Sequence, residues 1–414
     1  MGEDKRVPAI RFEGFTEPWE MQNLGDIGTT FTGLSGKSKC DFGHGQARFV
    51  TYMNVFSNPI SCANDLGLIE IDNKQNSVRY GDVFFTTSSE TPEEVGMSSV
   101  WLDSKENVYL NSFCFGYRPL IKINPFYFAY LLRSSFVRDE FILLAQGSTR
   151  FNISKTAAVK ISVPIADDED EQIAIGDFFR NLDDTIALKK QEYEKTLTIK
   201  KAMLEKMFPK KGANVPEIRF EGFTGAWEQR KLGKISSKVI EKNTGMIYAV
   251  TFTNSAEQGI ISQRDFFDKD ISNKQNLGGY FVVRPNDFVY NPRVSRTAPV
   301  GPIKRNKLER TGVMSPLYFV FTFSEGDYGF FEKYFESHYW HDFMIRNGDS
   351  GARFDRFNIK DTLFVEMPLP FPKMEEQTAI ADFFYNLDIL IESLRQELEK
   401  LQNIKSACLS KMFV

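Results

Sequence analysis

Three short motifs carry residue types that catalysis could use, and each departs from the pattern that its chemistry needs. Asn124–Tyr127 reads NPFY, close to the N-P-P-[FY] tetrapeptide of methyltransferases, but its third residue is Phe and no glycine-rich cofactor loop follows a strand upstream. An Asn N-cap with Pro at the first helical position fits these residues better. Gly33–Ser38 ends like a phosphate-binding loop, although Phe31 stands where the first glycine is required.

The histidines offer little more. His338 and His341 lie three residues apart in the segment HYWH, without a third metal ligand of clear pattern nearby. We therefore favour aromatic packing on a helix over a zinc site. The chain has 3 histidines in all, so acid–base catalysis has few of its usual groups. The sequence presents no constellation of residues for an enzyme.

The sequence segments that would position any functional residue occur twice in the chain. Val7–Glu20 reads VPAIRFEGFTEPWE and Val215–Glu228 reads VPEIRFEGFTGAWE, which are identical at 11 of 14 positions. Glu171–Phe208 and Glu376–Phe413 match at 22 of 38 positions. The long stretches between these segments share only scattered residues. This repeat is far longer than a solenoid unit of about 50 residues, and it predicts a tandem pseudo-dimer with divergent middles.

Both matched carboxy-terminal segments have the heptad pattern of a coiled coil, sustained for five heptads without proline. The seam positions are Ile175, Phe179, Leu182, Ile186, Lys189, Tyr193, Thr196, Lys200, Met203 and Met207 in the first, and Ile380, Phe384, Leu387, Ile391, Leu394, Leu398, Leu401, Lys405, Cys408 and Met412 in the second. We expect two helices of about 57 Å each. They would pair antiparallel about a pseudo-twofold axis, as in an isologous dimer. The alternative is that each helix only caps its own domain.

The divergent middles are predicted as mixed α and β. Runs of β-branched and aromatic residues indicate strands at Phe49–Val55, Asp82–Thr87, Phe113–Tyr117, Tyr248–Thr253, Asp287–Tyr290 and Leu317–Thr322. The repeated motif VPxIRFxGFxxxWE places its apolar residues as a packed strand and turn would. We therefore favour structural packing near the helix ends over ligand contact for Trp19 and Trp227.

Composition restricts the class of protein. A hydrophobic content of 42% with 39 Phe favours well-filled cores. No apolar run approaches the roughly 18 residues of a membrane span, so we expect a cytoplasmic protein without a membrane partner. The 4 cysteines lack CxxC spacing, which fits reduced thiols and argues against a metal site. With a net charge of −4, any DNA-binding surface must be local or shared with a more basic partner.

Three features together identify a family. They are the repeated VPxIRFxGFxxxWE motif, the E-Q-x-A-I-x-x-F-F-x-N-L-D helices that end in K-M-F, and the order variable–helix–variable–helix. With them the chain resembles, over all 414 residues, the specificity (S) subunit of type I restriction-modification systems. The resemblance implies an α+β fold, in which two mixed α/β target-recognition domains, residues 1–165 and 211–370, are joined by two long spacer helices, 166–210 and 371–414. These helices would form an antiparallel coiled coil with pseudo-twofold symmetry.

The resemblance also implies a function. Each domain would read one half of an asymmetric bipartite site in double-stranded DNA, and the coiled coil would set the gap. Two methyltransferase (M) subunits would dock on this chain, while the presence of two restriction (R) subunits is left open. The chain itself would be non-catalytic and hold no cofactor or metal. S-adenosylmethionine is expected in the M subunits, and ATP and Mg²⁺ in the R subunits.

Two other functions remain open at this point. A self-contained DNA methyltransferase would bind S-adenosylmethionine itself, and would need the cofactor loop and tetrapeptide that this chain lacks. A protein-interaction scaffold without a DNA role would show no sequence preference on duplex DNA.

Arg, Lys, Asn, Gln, Ser and Thr are the usual contacts to bases and phosphates, and they concentrate in a few loops of each half. The triplet Arg150–Asn152 recurs as Arg356–Asn358, which favours a shared role such as phosphate positioning. A turn held by the Asn side chain, with Phe packed inward, is the alternative. Lys-Gln-Asn at 74–76 recurs at 274–276, where a plain turn is slightly preferred over base contact.

Other loops differ between the halves, as base readers should. Arg284–Arg310 holds seven Lys and Arg against two acids, whereas its counterpart Thr86–Val95 is polar and acidic. The glycine-rich basic loop at 33–39 is a further candidate for phosphate contact. The predicted DNA contacts are Lys37, Lys39, Lys74, Gln75, Thr86, Thr87, Ser88, Ser148, Thr149, Arg150, Asn152, Lys274, Gln275, Asn291, Arg293, Arg296, Lys304, Arg305, Lys307, Arg353, Arg356 and Asn358.

Overall fold

The chain folds into two units. A computed structural model describes residues 7–264, 274–350 and 355–414, without the side chains of residues 274–276 and 350. Unit 1 consists of Met1–Gln191 and Gln396–Val414, and unit 2 of Glu192–Arg395. Within the described ranges, no helix combines the length and the apolar character that a membrane span requires.

Unit 1 is built around a four-stranded antiparallel sheet in the order Gly28–Thr32, Cys114–Pro119, Val83–Thr86, Ser98–Val100. In its centre Phe85 faces Phe115, and the two rings stack 5.2 Å apart. Its other strands are Glu20–Asn23, Phe42–Val50, Leu66–Ile69, Ser88–Ser89, Val108–Leu110, Phe151–Asn152 and Ser162–Ile165. Its short helices are Leu24–Ile27, Lys39–Asp41, Tyr52–Ser57, Pro92–Glu94, Pro125–Leu131, Ser135–Leu143 and Lys155–Ala158.

Unit 2 repeats this plan, with a four-stranded antiparallel sheet in the order Ser236–Lys238, Phe319–Phe323, Phe288–Tyr290, Ile303–Arg305. Here Tyr290 faces Phe319 across the central pair. The other strands are Glu228–Lys231, Phe252–Ser255, Gly259–Ser262, Phe281–Val283, Gly312–Met314, Asp349–Ser350, Phe357–Asn358 and Pro368–Phe371. The short helices are Leu232–Ile235, Lys274–Gly279, Tyr328–Glu336, His341–Asn347 and Asp361–Phe364.

Two long helices, the first at Glu169–Lys206 and the second at Met374–Lys411, have 38 residues each. Both lie inside the segments predicted for them. Each unit contains the beginning of one helix and the end of the other. In unit 1 the rings of Phe179 and Phe413 stack 5.7 Å apart within the core. In unit 2 Phe208 and Phe384 stack at 6.4 Å.

The beginning of one helix therefore packs against the end of the other in each unit, which confirms an antiparallel pair. A helix that only capped its own domain would not contribute its last turns to the other unit's core. The predicted α+β fold is likewise confirmed.

The strand predictions are confirmed to within about two residues at Asp82–Thr87, Phe113–Tyr117, Asp287–Tyr290 and Leu317–Thr322. At Phe49–Val55 the prediction is wrong beyond Val50, because the Thr51 hydroxyl accepts a hydrogen bond from the Asn54 N–H (3.1 Å) and begins a helix. At Tyr248–Thr253 the strand begins only at Phe252. The Tyr248 N–H is held by the Asn243 side chain (3.1 Å), a local bond that competes with the sheet ladder.

Candidate nucleic-acid interface

A buried carboxylate fastens the VPxIRF motif to a long helix in unit 1. Glu171 accepts hydrogen bonds from Arg11 Nε (2.6 Å), Arg11 Nη2 (2.8 Å) and Trp19 Nε1 (2.9 Å), and it is 1% exposed. The Ile10 N–H donates to the Lys411 carbonyl at the end of the second long helix (2.9 Å). The motif thus ties together the start of one helix and the end of the other.

Unit 2 has the same cluster. Glu376, also 1% exposed, accepts from Arg219 Nε (2.6 Å), Arg219 Nη2 (2.7 Å) and Trp227 Nε1 (3.1 Å). The Ile218 N–H donates to the Lys206 carbonyl (3.0 Å). The preference for packing over ligand contact is confirmed for the tryptophan of each copy, since both are buried and bonded within the protein. The strand predicted in this motif is wrong, because the segment forms turns and bends and a strand begins only at Glu20 or Glu228.

A second repeated contact joins each domain to its helix. The Asn124 side chain caps the helix that follows it, and the Asn124 N–H donates to Gln172 Oε1 (2.8 Å). Asp327 caps the equivalent helix of unit 2 and donates its N–H to Gln377 Oε1 (2.8 Å). The NPFY segment is therefore a helix start, as predicted, and its asparagine is committed to backbone N–H groups.

Polar seam residues form ion pairs. In unit 1 Lys405 lies 2.5 Å from Asp183, whose other oxygen accepts from Tyr130 (2.9 Å). In unit 2 Lys200 lies 2.6 Å from Asp388. The two ion pairs are equivalent in the repeat, because Lys405 corresponds to Lys200 and Asp388 to Asp183 at an offset of 205. An unpaired charge in a seam is costly, so each lysine favours the register that brings it to its acid.

On this framework unit 1 presents a cluster that we call surface 1, consisting of Thr87, Ser148, Thr149, Arg150 and Asn152. Strands Ser88–Ser89 and Phe151–Asn152 pair antiparallel, and the Ile153 N–H donates to the Thr87 carbonyl (3.0 Å). Ser148, Thr149, Arg150 and Asn152 are exposed, and Thr87 is partly so. Residues more than 60 positions apart in sequence thus meet at one end of the central sheet.

Two neighbours predicted to touch DNA do not reach this surface. Thr86 is fully buried, and its hydroxyl accepts a hydrogen bond from the Met97 N–H (3.0 Å). Ser88 is 7% exposed within the strand that pairs with Asn152. Both predictions are corrected, because these two side chains are buried within unit 1.

The corresponding cluster of unit 2, surface 2, consists of Arg293, Arg296, Arg356 and Asn358, all exposed. Arg293 and Arg356 are partners in an antiparallel bridge, and the Phe357 N–H donates to the Pro292 carbonyl (2.7 Å). Several positive charges therefore converge on one loop pair.

Asn291 has a structural role beside this cluster. Its Nδ2 donates to the Asn254 carbonyl (2.9 Å) and its Oδ1 accepts from the Arg293 N–H (3.0 Å). Asn291 orients the loop, and its prediction as a base contact is corrected.

The structure supports the turn alternative for the first Arg-Phe-Asn triplet, and phosphate contact by its arginines stays a prediction. Phe357 is buried and Phe151 half-buried, and Asn152 Nδ2 donates to the Arg150 carbonyl (3.3 Å). Phe and Asn therefore shape the turn, while the arginine of each copy faces solvent.

Two of the three cations at 304–307 share one carboxylate partner inside unit 2. Arg305 Nε lies 2.8 Å and Lys307 Nζ 3.2 Å from the carboxylate of Glu332. Lys304 is half-buried, and burial lowers its pKa. Arg305 is thus held by Glu332, which corrects its prediction as a phosphate contact. For Lys304, DNA contact stays a prediction. Lys307 remains half-exposed, although paired.

The glycine-rich loop of unit 1 is also tied down. Lys37 lies 2.8 Å from Asp72, and its hydrogen bond lowers the pKa of Asp72 to about 2. Gln75 Oε1 accepts from the Ser35 N–H (3.0 Å), so the Lys-Gln-Asn segment is a turn that holds the loop. Lys37 and Gln75 are removed from the candidate contacts for this reason. The loop backbone approaches Asn111 closely at Gly33, where a Cβ would lie 2.0 Å from the Asn111 carbonyl oxygen, so glycine is required at this position.

The remaining predicted residues are simply placed. Lys39 and Lys74 are exposed. The side chains of Lys274 and Gln275, and Arg353 as a whole, lie outside the described residues.

The sequence did not point to an open groove of about 700 Å³ that borders surface 2. Lys238, Arg346 and Lys360 line it together with Asn358. These cations come from distant segments without a shared motif. Only the fold brings them together.

The other candidate chemistry resolves into packing. Within the described residues no group of three or more His, Cys, Asp or Glu is arranged to hold a metal ion. His338 and His341 lie against Tyr339 and Trp340, at ring distances of 4.7 and 4.5 Å, and burial lowers the pKa of His341 to about 4. Aromatic packing was the favoured interpretation of this segment.

Comparison with known proteins gives this geometry a context. Residues 16–197 match the family model described as type I restriction modification DNA specificity domain. A putative type I restriction enzyme MjaX specificity subunit from Methanocaldococcus jannaschii is 24% identical over 410 residues, which cover 94% of this chain and 91% of the relative.

Solved structures agree on the fold. The crystal structure of a type I restriction-modification S subunit from M. genitalium superposes with a TM-score of 0.59 at 12% identity, covering 99% of both chains. A chain from a study of complex assembly and conformational transition of the type I R-M system superposes with a TM-score of 0.53 at 16% identity, covering 94% of this chain and 96% of that one. The resemblance inferred from the sequence is confirmed.

Proposed function

We propose that this chain, whose residues 16–197 match the model of the type I restriction modification DNA specificity domain, is the specificity subunit of a type I complex and that each of its units reads one half of a bipartite DNA site. The observation that carries the proposal is the repeated pair of surfaces. Each unit presents the exposed arginine of its Arg-Phe-Asn triplet at the corresponding end of its own four-stranded sheet. The other side chains of the two surfaces differ.

The difference between the surfaces supports an asymmetric target. Around its shared arginine, surface 1 presents mostly hydroxyl and amide groups, whereas surface 2 adds Arg293 and Arg296. Arginine in the major groove favours guanine, while hydroxyl groups pair with several bases. The shared Arg150 and Arg356 suit phosphates, which fix register without carrying sequence information.

The proposed partners rest on the likeness of this chain to specificity subunits of type I systems. Two M subunits would dock on it and bind S-adenosylmethionine, and R subunits with ATP and Mg²⁺ would act through them. This chain would be non-catalytic and cytoplasmic. A net charge of −4 on the chain is compatible with DNA binding if basic M subunits complete the clamp around the duplex.

The test compares the methylated positions of a host genome with and without the chain, expressed beside its M subunits. We expect an asymmetric two-part motif that is methylated only when the chain is present. Replacing Arg293 and Arg296 by alanine should relax the bases of one half of the motif and leave the other half and the gap unchanged.

Arg150→Ala is the matched control. Loss of a phosphate contact should lower occupancy of the whole site and reduce the salt dependence of binding by about one unit, without changing the bases read. A host without any chain-dependent motif would contradict the proposal. Sequence-independent binding by the complex would support a scaffold, and transfer of methyl groups by the chain alone would support a methyltransferase.

A further inference from the structure

Each unit exposes one large apolar side chain at the same place in its fold. Phe113 is 60% exposed and Leu317 is 59% exposed. Each stands two residues before the strand position that faces the centre of the sheet, because Phe115 faces Phe85 and Phe319 faces Tyr290. The two positions are therefore structural equivalents.

The same kind of turn presents both side chains. In unit 1 the Phe113 N–H donates to Asn111 Oδ1 (2.8 Å), and the Asn111 amide donates to the Val50 carbonyl (3.0 Å). In unit 2 the Leu317 N–H donates to Ser315 Oγ (3.4 Å). Asn111 is itself buried, so Phe113 projects from a fixed turn rather than from a loose loop.

Both side chains adjoin the surfaces proposed for DNA. The Phe113 carbonyl accepts from the Thr87 N–H (3.0 Å) and from the Thr87 hydroxyl (2.8 Å), which places Phe113 beside surface 1. Leu317 lines the groove that also contains Asn358 of surface 2 and Pro292, the neighbour of Arg293. Exposure of a single apolar residue is ordinary, but the same exposure at equivalent positions beside both surfaces calls for a partner.

Duplex DNA offers few apolar groups to such a residue. In the major groove the thymine C5-methyl is the apolar feature that distinguishes one base pair from the others, and proteins read it with apolar side chains. Phe and Leu differ in shape and reach, so they would meet that methyl at different positions of the two half-sites.

We propose that Phe113 and Leu317 are specificity-determining residues, each of which contacts a thymine methyl group in the half-site read by its own unit. This inference rests on the proposed DNA-reading function. It adds an apolar contact in each unit to the polar contacts of surfaces 1 and 2.

The test uses the complex assembled with its M subunits and duplexes in which each thymine of the site is replaced in turn by deoxyuridine, which removes only the methyl group. For the natural chain, one replacement in each half-site should weaken binding by about fourfold, the value of one buried carbon group. Phe113→Ala should abolish the methyl dependence in one half-site only, and Leu317→Ala in the other only. Phe113→Leu should restore part of it.

Tyr80→Ala is the control. Tyr80 is 61% exposed in the same unit, but it precedes the strand Val83–Thr86 whereas Thr87 follows it, so it lies at the opposite end of the sheet. This variant should bind every duplex as the natural chain does.

Several results would overturn the inference while leaving the proposed function intact. One is sequence-specific binding whose affinity is unchanged by every deoxyuridine replacement, and another is a half-site that contains no thymine. The others are a Phe113→Ala variant whose binding still depends on the methyl group, and a Phe113→Ala variant that fails to assemble with M subunits. If the natural chain unstacks a 2-aminopurine reporter in the duplex and the Phe113→Ala variant does not, then Phe113 inserts between bases instead of contacting a methyl group. Absence of any sequence-specific binding by the natural complex would refute both proposals together.

Discussion

Replacing Glu171 by alanine should loosen unit 1 without loosening unit 2. The side chains of Arg11 and Glu171 are 10% and 1% exposed, and they share two hydrogen bonds of 2.6 and 2.8 Å. Without the carboxylate, a buried guanidinium is left uncompensated and the Trp19 N–H loses its acceptor. Breaking a buried pair in this way costs about 3–5 kcal/mol, a large part of the 5–15 kcal/mol that stabilises a typical domain.

Hydrogen exchange followed by mass spectrometry can separate the units. Amides in residues 7–20 and at the start of the first long helix should lose about a hundredfold or more of their protection, since each 1.4 kcal/mol is a factor of ten. The matching segments of unit 2 should exchange as before, and Glu376→Ala should produce the reverse pattern. Glu171→Gln, which keeps an acceptor for the tryptophan, should lose less. Unchanged exchange around Glu171, or an equal loss in both units, would refute the role assigned to this cluster.

Two further predictions concern the long helices. Burial raises the pKa of Asp388, but hydrogen bonds from Lys200 and Lys333 outweigh it and leave the pKa below its ordinary value. The stability that the ionised Asp388 adds is therefore present above about pH 3.9 and lost as the pH falls through the pKa of the folded state. Asp388→Asn should weaken the loss of stability in acid, as followed by circular dichroism during a pH titration. An acid transition identical to that of the natural chain would argue against this role of Asp388. Deleting one heptad from each long helix, residues 188–194 and 393–399, should change the accepted gap between half-sites by about 10 Å, or about three base pairs. The bases read in each half-site should stay the same. Methylation sequencing measures both, and altered bases with an unaltered gap would contradict the spacer role of the helices.

Much of the framework could be predicted because its signals are local or repeated. Heptad spacing is a property of one helix, and the Asn-Pro start is a property of four residues, so neither needs knowledge of the rest of the fold. Where the strand predictions failed, a side chain competed for the backbone: Thr51 caps a helix, and Asn243 holds the Tyr248 N–H. Propensity alone does not register such competition.

The contacts of the site were harder to predict because charge and exposure depend on distant partners. Lys37 and Arg305 have the residue type that DNA contact needs, but each meets a carboxylate from another segment, Asp72 or Glu332. Side-chain orientation also decides which predicted contacts reach the surface, since Thr86 is buried while the adjacent Thr87 is partly exposed. A linear sequence gives the composition of a loop but not the partner of each side chain.

The distribution of identity between the two halves follows from the same contacts. The residues that attach each unit to the helices are kept in both copies: the arginine, glutamate and tryptophan of the buried cluster, the glutamine that meets the cap, and the lysine–aspartate pair of the seam. Phe113 and Leu317, by contrast, occupy one structural position with different side chains on turns of the same kind. A surface residue there can change without disturbing the buried cluster, because no hydrogen bond of the attachment passes through it. The architecture therefore allows one unit to acquire a new target while the attachment to the helices, and with it the geometry of the other unit, stays as it is.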